Sequence, residues 1–251
     1  MKREESIIEK ADCYSFSSKL LRGCIFILIF LFSAKYTFSQ PGYQWPAYPF
    51  NQQHRISGTF CENRADRDHF HSAVDIPLAY GGTVYSVSDG RVLDIDPSGG
   101  NSYIRVERYA YVHVTPNPAL EVGDYVGKGD PIGSTNTQNH IHFKDGGGLS
   151  GTKVINPLRE GGLNPFEDPY KPNKSEIKFY RNGTTTRFSE NVISGRVDIV
   201  AHASDVTDLL SWVDMNNGLY RIGYQIFEAD ARTPVTSAIY PFQFDELPDN
   251  A

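Results

Sequence analysis

Five of the seven histidines in this 251-residue chain fall between His69 and Phe143, and the fold has to be organised around them. The stretch opens with HFHSAVDI (69–76), passes through TVYSVSDGRV (83–92) and YAYVHV (109–114), and closes with NHIHF (139–143). Two spacings carry chemistry: His71-x-x-x-Asp75 and His140-x-His142. A β-branched and aromatic setting, with apolar Ile141 between the last two histidines, reads as a strand. Side chains at i and i+2 of a strand share a face, so His140 and His142 point into one cleft. Two imidazoles and a carboxylate converging there form a three-ligand zinc site with an open fourth position.

Composition narrows the fold class. Aromatic residues reach 13%, mostly Tyr and Phe, Gly and Pro are frequent, and no long helical period runs through the chain. An all-β protein with many turns is expected. A net charge of −6 and a pI near 5.6 leave no basic footprint for nucleic acid. The N-terminus reads as targeting rather than fold. Lys19 and Arg22 precede the apolar run CIFILIFLFSA (24–34), which is short for a membrane span. Thr37-Phe38-Ser39 offers a small-x-small cleavage site ahead of Gln40. Residues 1–39 are therefore expected to be a signal peptide. The product would be exported (periplasmic, cell-envelope or secreted), with no transmembrane span after cleavage. Cleavage removes Cys13 and Cys24 and leaves Cys61 alone, so no internal disulfide is available and packing and metal must supply stability.

The order of the histidine motifs resembles that of the lysostaphin-type zinc endopeptidases of bacterial cell walls. That family shows a His-x-x-x-Asp pair, a lone His in a Tyr-x-His context, and a closing His-x-His. Here these are His71 with Asp75, His113 in Tyr111-Val112-His113, and His140 with His142. LEVGDYVGKGDPIG (120–133) is similar to the family's turn-rich run before the last motif, and the resemblance spans residues 56–158. It implies one zinc ion per chain, held by His71, Asp75 and His142, with water in the fourth position. It also implies that His113 and His140 are catalytic imidazoles, one taking the water's proton and the other stabilising the oxyanion or protonating the leaving amine. Histidine suits either role, because its unperturbed pKa of about 6.5 lies near working pH. No Glu sits in an HExxH helix, so the arrangement is not of the thermolysin type.

The implied substrate is a peptide bond in peptidoglycan stems or cross-links. The alternative is a catalytically inactive relative that binds and activates another cell-wall hydrolase, although such relatives usually lose zinc ligands and this chain keeps all three. A cupin-like metal barrel would want a glutamate soon after the His-x-His, where Phe143-Lys144-Asp145-Gly146 supplies none. The chain departs from the family at three places. Cys61 stands where a glycine is expected, and is read as a small buried side chain rather than a nucleophile. Ala73 also stands where glycine is usual, and its methyl would cost about 1 kcal/mol if φ were positive. Only six residues, Ser134 to Asn139, separate Gly133 from His140, which shortens one wall of the groove.

Taken in order, PGYQWPAYPF (41–50) is expected to wrap the surface, followed by an S-G-x-F run (57–60) and an Arg shortly before His-Phe-His. His69 would share a strand face with His71 as a second-sphere or exposed group. TVYSVSDGRVLDI (83–95) suggests a hairpin at Asp89-Gly90, and YIRVERYAYVHV (103–114) a strand ending near His113. DGGGLSG (145–151) lacks the Lys-Ser/Thr ending of a phosphate loop and reads as a flexible connection. The peptidase-like domain is placed at 40–160, of antiparallel-sheet type, followed by a Gly- and Pro-rich linker at 161–174. Residues 175–251 read as a second β domain, with strand-like runs at 177–182, 195–206, 219–229 and 237–244. An immunoglobulin-like sandwich is expected there, an incomplete one, because about seven strands are needed and the chain stops at PDNA. His202 and Asp205 have no ligand company in the sequence and are assigned to the surface.

Overall fold

A computed structural model describes residues 42–64, 69–148, 153–189, 193–206 and 218–248. The expected signal peptide and its cleavage site lie outside the described residues. Strands make up the regular structure, and no helix occurs among the described residues. The main sheet has the order β1 (Val74–Pro77), β9 (His140–Gly146), β5 (Tyr109–Val112), β4 (Tyr103–Val106), β3 (Gly90–Asp96), β7 (Tyr125–Val126), and β10 (Val154–Ile155) also pairs with β9. A smaller sheet runs β2 (Thr83–Tyr85), β8 (Pro131–Thr135), β6 (Val114–Pro116). All these ladders are antiparallel.

The period of two explains the layering. Ile76, Ile141, Phe143, Tyr111, Ile104, Val106 and Val92 alternate onto one face of the main sheet and are wholly buried. Val84, Ile132 and Val114 of the small sheet join them in one core cluster. Each such side chain stabilises the fold by roughly 1.5–3 kcal/mol through burial. The opposite face of the main sheet is left with the polar partners of the same alternation, among them His140, His142 and Lys144.

Three expectations are corrected. The 41–50 segment does not wrap the surface: Trp45 is fully buried and Tyr43 and Ala47 nearly so. Aromatic area of that size favours the core, and the indole N–H keeps its hydrogen bond by donating to the Pro165 carbonyl at 2.8 Å. The 103–114 run is a hairpin rather than one strand. Val106 pairs with Tyr109 across Glu107 and Arg108, with Glu107 at φ 49°, a turn that carries none of the usual Gly or Asn signals. Conversely, Asp89-Gly90 closes no hairpin: β2 pairs with β8 while β3 pairs with β4 and β7, so this stretch crosses between sheets.

Asp145, near the end of β9, is completely buried. Tyr43 donates its hydroxyl to it at 3.0 Å, Arg108 its Nε–H at 2.5 Å and Arg159 an Nη1–H at 2.8 Å. Leu163 and Phe166, in the stretch expected to be linker, are buried in the same core, and Tyr43 bridges Leu163. Farther on, β11 (Asn173–Arg181) pairs with β12 (Val197–Ser204), and β13 (Arg221–Tyr224) with β14 (Ile239–Gln243), as two separate ribbons. The expected strand runs are present. A closed sandwich is not shown by the described residues, and Ile199, Val200, Tyr240 and Phe242 are exposed. The end of the described chain returns to the first unit. Leu247 donates its backbone N–H to Val154 O at 2.8 Å, and the Phe244 ring lies 6.4 Å from that of Phe70.

Candidate metal centre

β1 and β9 are neighbours, and their register sets Asp75 directly opposite His142. His71 lies just before β1, where its backbone pairs with Cys61 and Glu62. Three donor atoms thereby meet. His71 Nε2 lies 3.1 Å from His142 Nδ1 and 3.2 Å from Asp75 Oδ1, and His142 Nδ1 lies 3.0 Å from Asp75 Oδ1. These atoms form a group able to hold a metal ion. His71 and Asp75 are buried, and His142 is half-buried.

The donor chemistry fits a divalent cation such as zinc. His71 Nδ1 lies 2.8 Å from the Thr59 carbonyl, which can only accept, so the proton is on Nδ1 and Nε2 presents a lone pair. That lone pair faces a carboxylate oxygen and a second imidazole nitrogen. One proton can bridge only one edge of such a triangle, whereas a cation satisfies all three corners. Four-coordinate zinc with bonds of about 2.0–2.1 Å keeps its donors about 3.3 Å apart, close to the spacing here. Burial alone would push the Asp75 carboxyl up. Hydrogen bonds and charge from His142 and His71 outweigh it and hold Asp75 well below the usual carboxylate range. Burial lowers His142, with Asp75 acting in the opposite sense, so its neutral, metal-binding form is favoured.

The run before the first motif builds this centre. Gly58 bridges Asp75, Thr59 holds His71, and Phe60 is buried. Arg64 donates Nη2–H to Asp75 Oδ2 at 2.5 Å and pairs through Nη1 with Glu62 Oε1 at 3.2 Å. Glu62 in turn accepts from Thr59 N at 2.9 Å. A Cβ at residue 58 would come within 2.7 Å of both Arg64 Nη2 and Asp75 Oδ2, so glycine is required for that pair to close. Sequence reasoning noted an arginine in this run but assigned it no partner.

His113 and His140 stand beside the triangle, their ring centroids 4.6 Å apart. His113 does not lie within a strand; it follows β5 at φ 64°, a left-handed kink that redirects its side chain. Its Nδ1 donates to Gly100 O at 2.7 Å, and His140 Nδ1 donates to Gln138 O at 2.8 Å. Both rings therefore turn Nε2 away from the backbone, and His140 Nε2 lies 3.7 Å from Asp75 Oδ1. His69 is exposed and outside the group. Asp205, assigned to the surface, is buried beside a small cavity lined also by Asp168 and Tyr220, while His202 is exposed.

Comparison with known proteins places residues 69–151 in a match to peptidase family M23. No curated protein matches the chain. Among solved structures, Csd3 of Helicobacter pylori is 26% identical over 48% of this chain and 34% of its own, with a TM-score of 0.38. A zinc-containing peptidase from Vibrio cholerae is 18% identical over 47% of this chain and 39% of its own, at 0.37. Lysostaphin of Staphylococcus simulans is 14% identical over 79% of this chain and 98% of its own, at 0.36. The chain thus spans only about a third of the Csd3 structure, and all three scores are too low to establish a shared fold over the whole chain.

Proposed function

Residues 69–151 belong to peptidase family M23, the lysostaphin type, and from that premise we propose that the protein is a zinc-dependent endopeptidase acting on peptide bonds in peptidoglycan stems or cross-links. The observation that supports it most is the donor triangle of His71, Asp75 and His142 with two further imidazoles at its side. Zinc held there supplies Lewis acidity, polarising a carbonyl and bringing the pKa of water from about 15.7 towards 7. His113 and His140 handle protons. Each has Nδ1 fixed by a backbone carbonyl, so each Nε2 can accept a proton when neutral and donate one when charged. One takes the proton of the attacking water, and the other stabilises the oxyanion or protonates the departing amine. A complete donor set favours this over a non-catalytic partner role.

In the same reading the protein is exported behind the signal peptide at 1–39. Residues 175–251 serve to position the enzyme and take no part in the chemistry, as a sandwich-type unit after the peptidase domain, whose core extends past residue 160 to Leu163 and Phe166. Apolar side chains on the ribbons, such as Ile199 and Phe242, are of the kind a facing sheet covers. The test is hydrolysis of purified sacculi by the zinc-loaded protein, followed as new amino groups. Release should stop on chelation and return with zinc. Zinc-loaded, folded protein that frees no amines from any peptidoglycan preparation would end this reading.

A further inference from the structure

The face of the main sheet that carries His142 continues past the metal centre. Register places Lys144 opposite Ala110, Ala110 opposite Arg105, and Arg105 opposite Asp94. Directly opposed residues of an antiparallel pair share a face, so Lys144, Ala110 and Arg105 lie on the same side as His142. Lys144 follows His142 by two residues, about 6.6 Å along the strand at about 3.3 Å per residue. Ala110, buried between the two cations, lies on the strand that separates theirs on this face.

Both cationic heads meet at the Gly146–Gly148 run, within the stretch whose composition suggests a flexible connection. Arg105 is buried and donates Nη1–H to Gly147 O at 2.7 Å and to Arg108 O at 3.2 Å. A Cβ at residue 147 would lie 3.3 Å from Lys144 Cε and 3.8 Å from its Nζ, and one at residue 148 only 2.5 Å from Arg105 Cζ and Nη2. The glycine backbone packs directly against both cations where a Cβ would clash, and positive φ at all three glycines (97°, 69° and 79°) is the conformation that allows this approach.

No acidic side chain forms an ion pair with either cation among the described residues. Asp94, across from Arg105, lends it charge without an ion-pair contact, and its carboxylate accepts from the Tyr103 hydroxyl at 2.5 Å. A buried guanidinium beside an ammonium, neither with a carboxylate partner, is expensive unless an anion arrives.

We propose that Arg105 and Lys144 form a subsite for a free carboxylate of the peptide substrate, borne within two residues of the bond that is cut. The proposal rests on the peptidase reading above, because that reading lays a peptide along this face. The group such a ligand can offer two cations is a carboxylate, whose planar shape matches the guanidinium fork. Two sources share this chemistry: the C-terminal carboxylate of a stem, and a side-chain carboxylate of a residue in it.

The experiment uses full-length, zinc-loaded protein in a His140→Ala background, so that binding is read without turnover. Two pairs of short synthetic peptides are titrated calorimetrically, one pair with a C-terminal carboxylate or amide, the other with a side-chain carboxylate or carboxamide. At least one carboxylate peptide should bind about tenfold or more tightly than its amide, the size expected of charge-assisted hydrogen bonds. The pair that discriminates identifies the source. Lys144→Gln, at a half-buried site, should shrink that preference to about threefold or less and Lys144→Glu should abolish or reverse it, as should Arg105→Gln if that variant folds. Equal binding of both members of both pairs overturns the subsite, as does a preference that survives in Lys144→Gln and Lys144→Glu, or no binding of any peptide. Sacculus hydrolysis by the parent enzyme is scored separately. If sacculi stay intact while the carboxylate preference and its loss in the variants are seen, the peptidase reading fails and the subsite stands.

Discussion

Asp75 divides its oxygens between two tasks: Oδ1 faces His71 and His142, while Oδ2 is held by Arg64. The arginine thus leaves Oδ1 as the oxygen that faces the two imidazoles. Removing a partner that orients a metal ligand typically lowers affinity about 10–100-fold. Arg64→Ala should therefore weaken zinc binding by roughly tenfold or more in a chelator competition. His142→Ala should lose zinc outright, and unchanged zinc content in that variant would remove His142 from the ligand set. Alanine at His113 or His140 should keep near one zinc per chain yet lose peptidoglycan turnover. Wild-type turnover in either variant would strip that histidine of its role. Cys61 is buried as the sequence suggested, but the positive φ considered for Ala73 belongs to Cys61 instead. Ala73 is buried but does not have positive φ, so no left-handed penalty arises there. Cys61 is the residue at φ 61°, a conformation in which the glycine expected at that position would be unstrained.

Four buried acids of high pKa set the alkaline limit of the core. Burial pushes the Cys61 thiol from 9.0 up to about 12, and burial likewise raises Tyr43, Tyr109 and Tyr111 above 10.0. In each case the unfolded chain ionises first. Their stabilising contribution is full below about pH 9 and is lost as pH rises through the folded values. Urea midpoints should therefore fall between pH 8 and pH 11, with Cys61→Ala flattening the first part of the decline. A midpoint that holds steady over this range would contradict the burial of these groups.

At the scale of elements, β9 does the most. One of its faces supplies Ile141 and Phe143 to the core, and the other supplies His140, His142 and Lys144 to the cleft. Its last turn is anchored through Asp145 to the 41–50 segment by Tyr43, to the β4–β5 turn by Arg108, and to the 155–160 run by Arg159. Breaking a buried pair by deleting one partner costs about 3–5 kcal/mol, less where the cations reach solvent, as Arg108 does here. Asp145→Ala should destabilise the protein by about 3 kcal/mol in equilibrium unfolding, and a loss below about 1 kcal/mol would show the network to be dispensable. The alternation of β9 was legible in the sequence because a period of two survives in every strand with one buried face. The β4–β5 turn was not, because Glu107 adopts positive φ without glycine or asparagine.

For the whole molecule, the boundary of the first unit follows from what the core contains. A chain ending at Arg159 loses Leu163, Phe166 and the carbonyl that satisfies the Trp45 indole. One ending at Asp168 keeps all three. Two buried apolar side chains and a hydrogen bond amount to about 4–6 kcal/mol, comparable with the whole stability of many domains. The shorter chain should be unfolded or aggregated, and the longer one folded and zinc-binding, although it loses the backbone bonds from the 244–247 segment. The comparison is made by melting temperature and zinc content. Equal stability of the two would show that residues 160–168 lie outside the folding unit. Folded, zinc-loaded chain ending at Asp168 that cuts no soluble peptide cut by the full chain would show that the later residues help build the active site.

The candidate donors His71, Asp75 and His142, the strand beneath His140 and His142, and the all-β class were legible in the sequence alone. They depend on residue type and on spacing within one element, which the chain carries locally. Pairing was a different matter. Only the register of β1 on β9 sets Asp75 opposite His142, and only the fold closes Arg64 onto Asp75 from eleven residues away. The 41–50 segment has the composition of a surface strap and became core, because burial depends on what packs against it. The glycine run at 146–148 has the composition of a loose connection, yet it packs against the cross-strand neighbours Arg105 and Lys144. Contacts between residues distant in sequence are decided by packing free energy summed over the whole fold, and no local pattern records them.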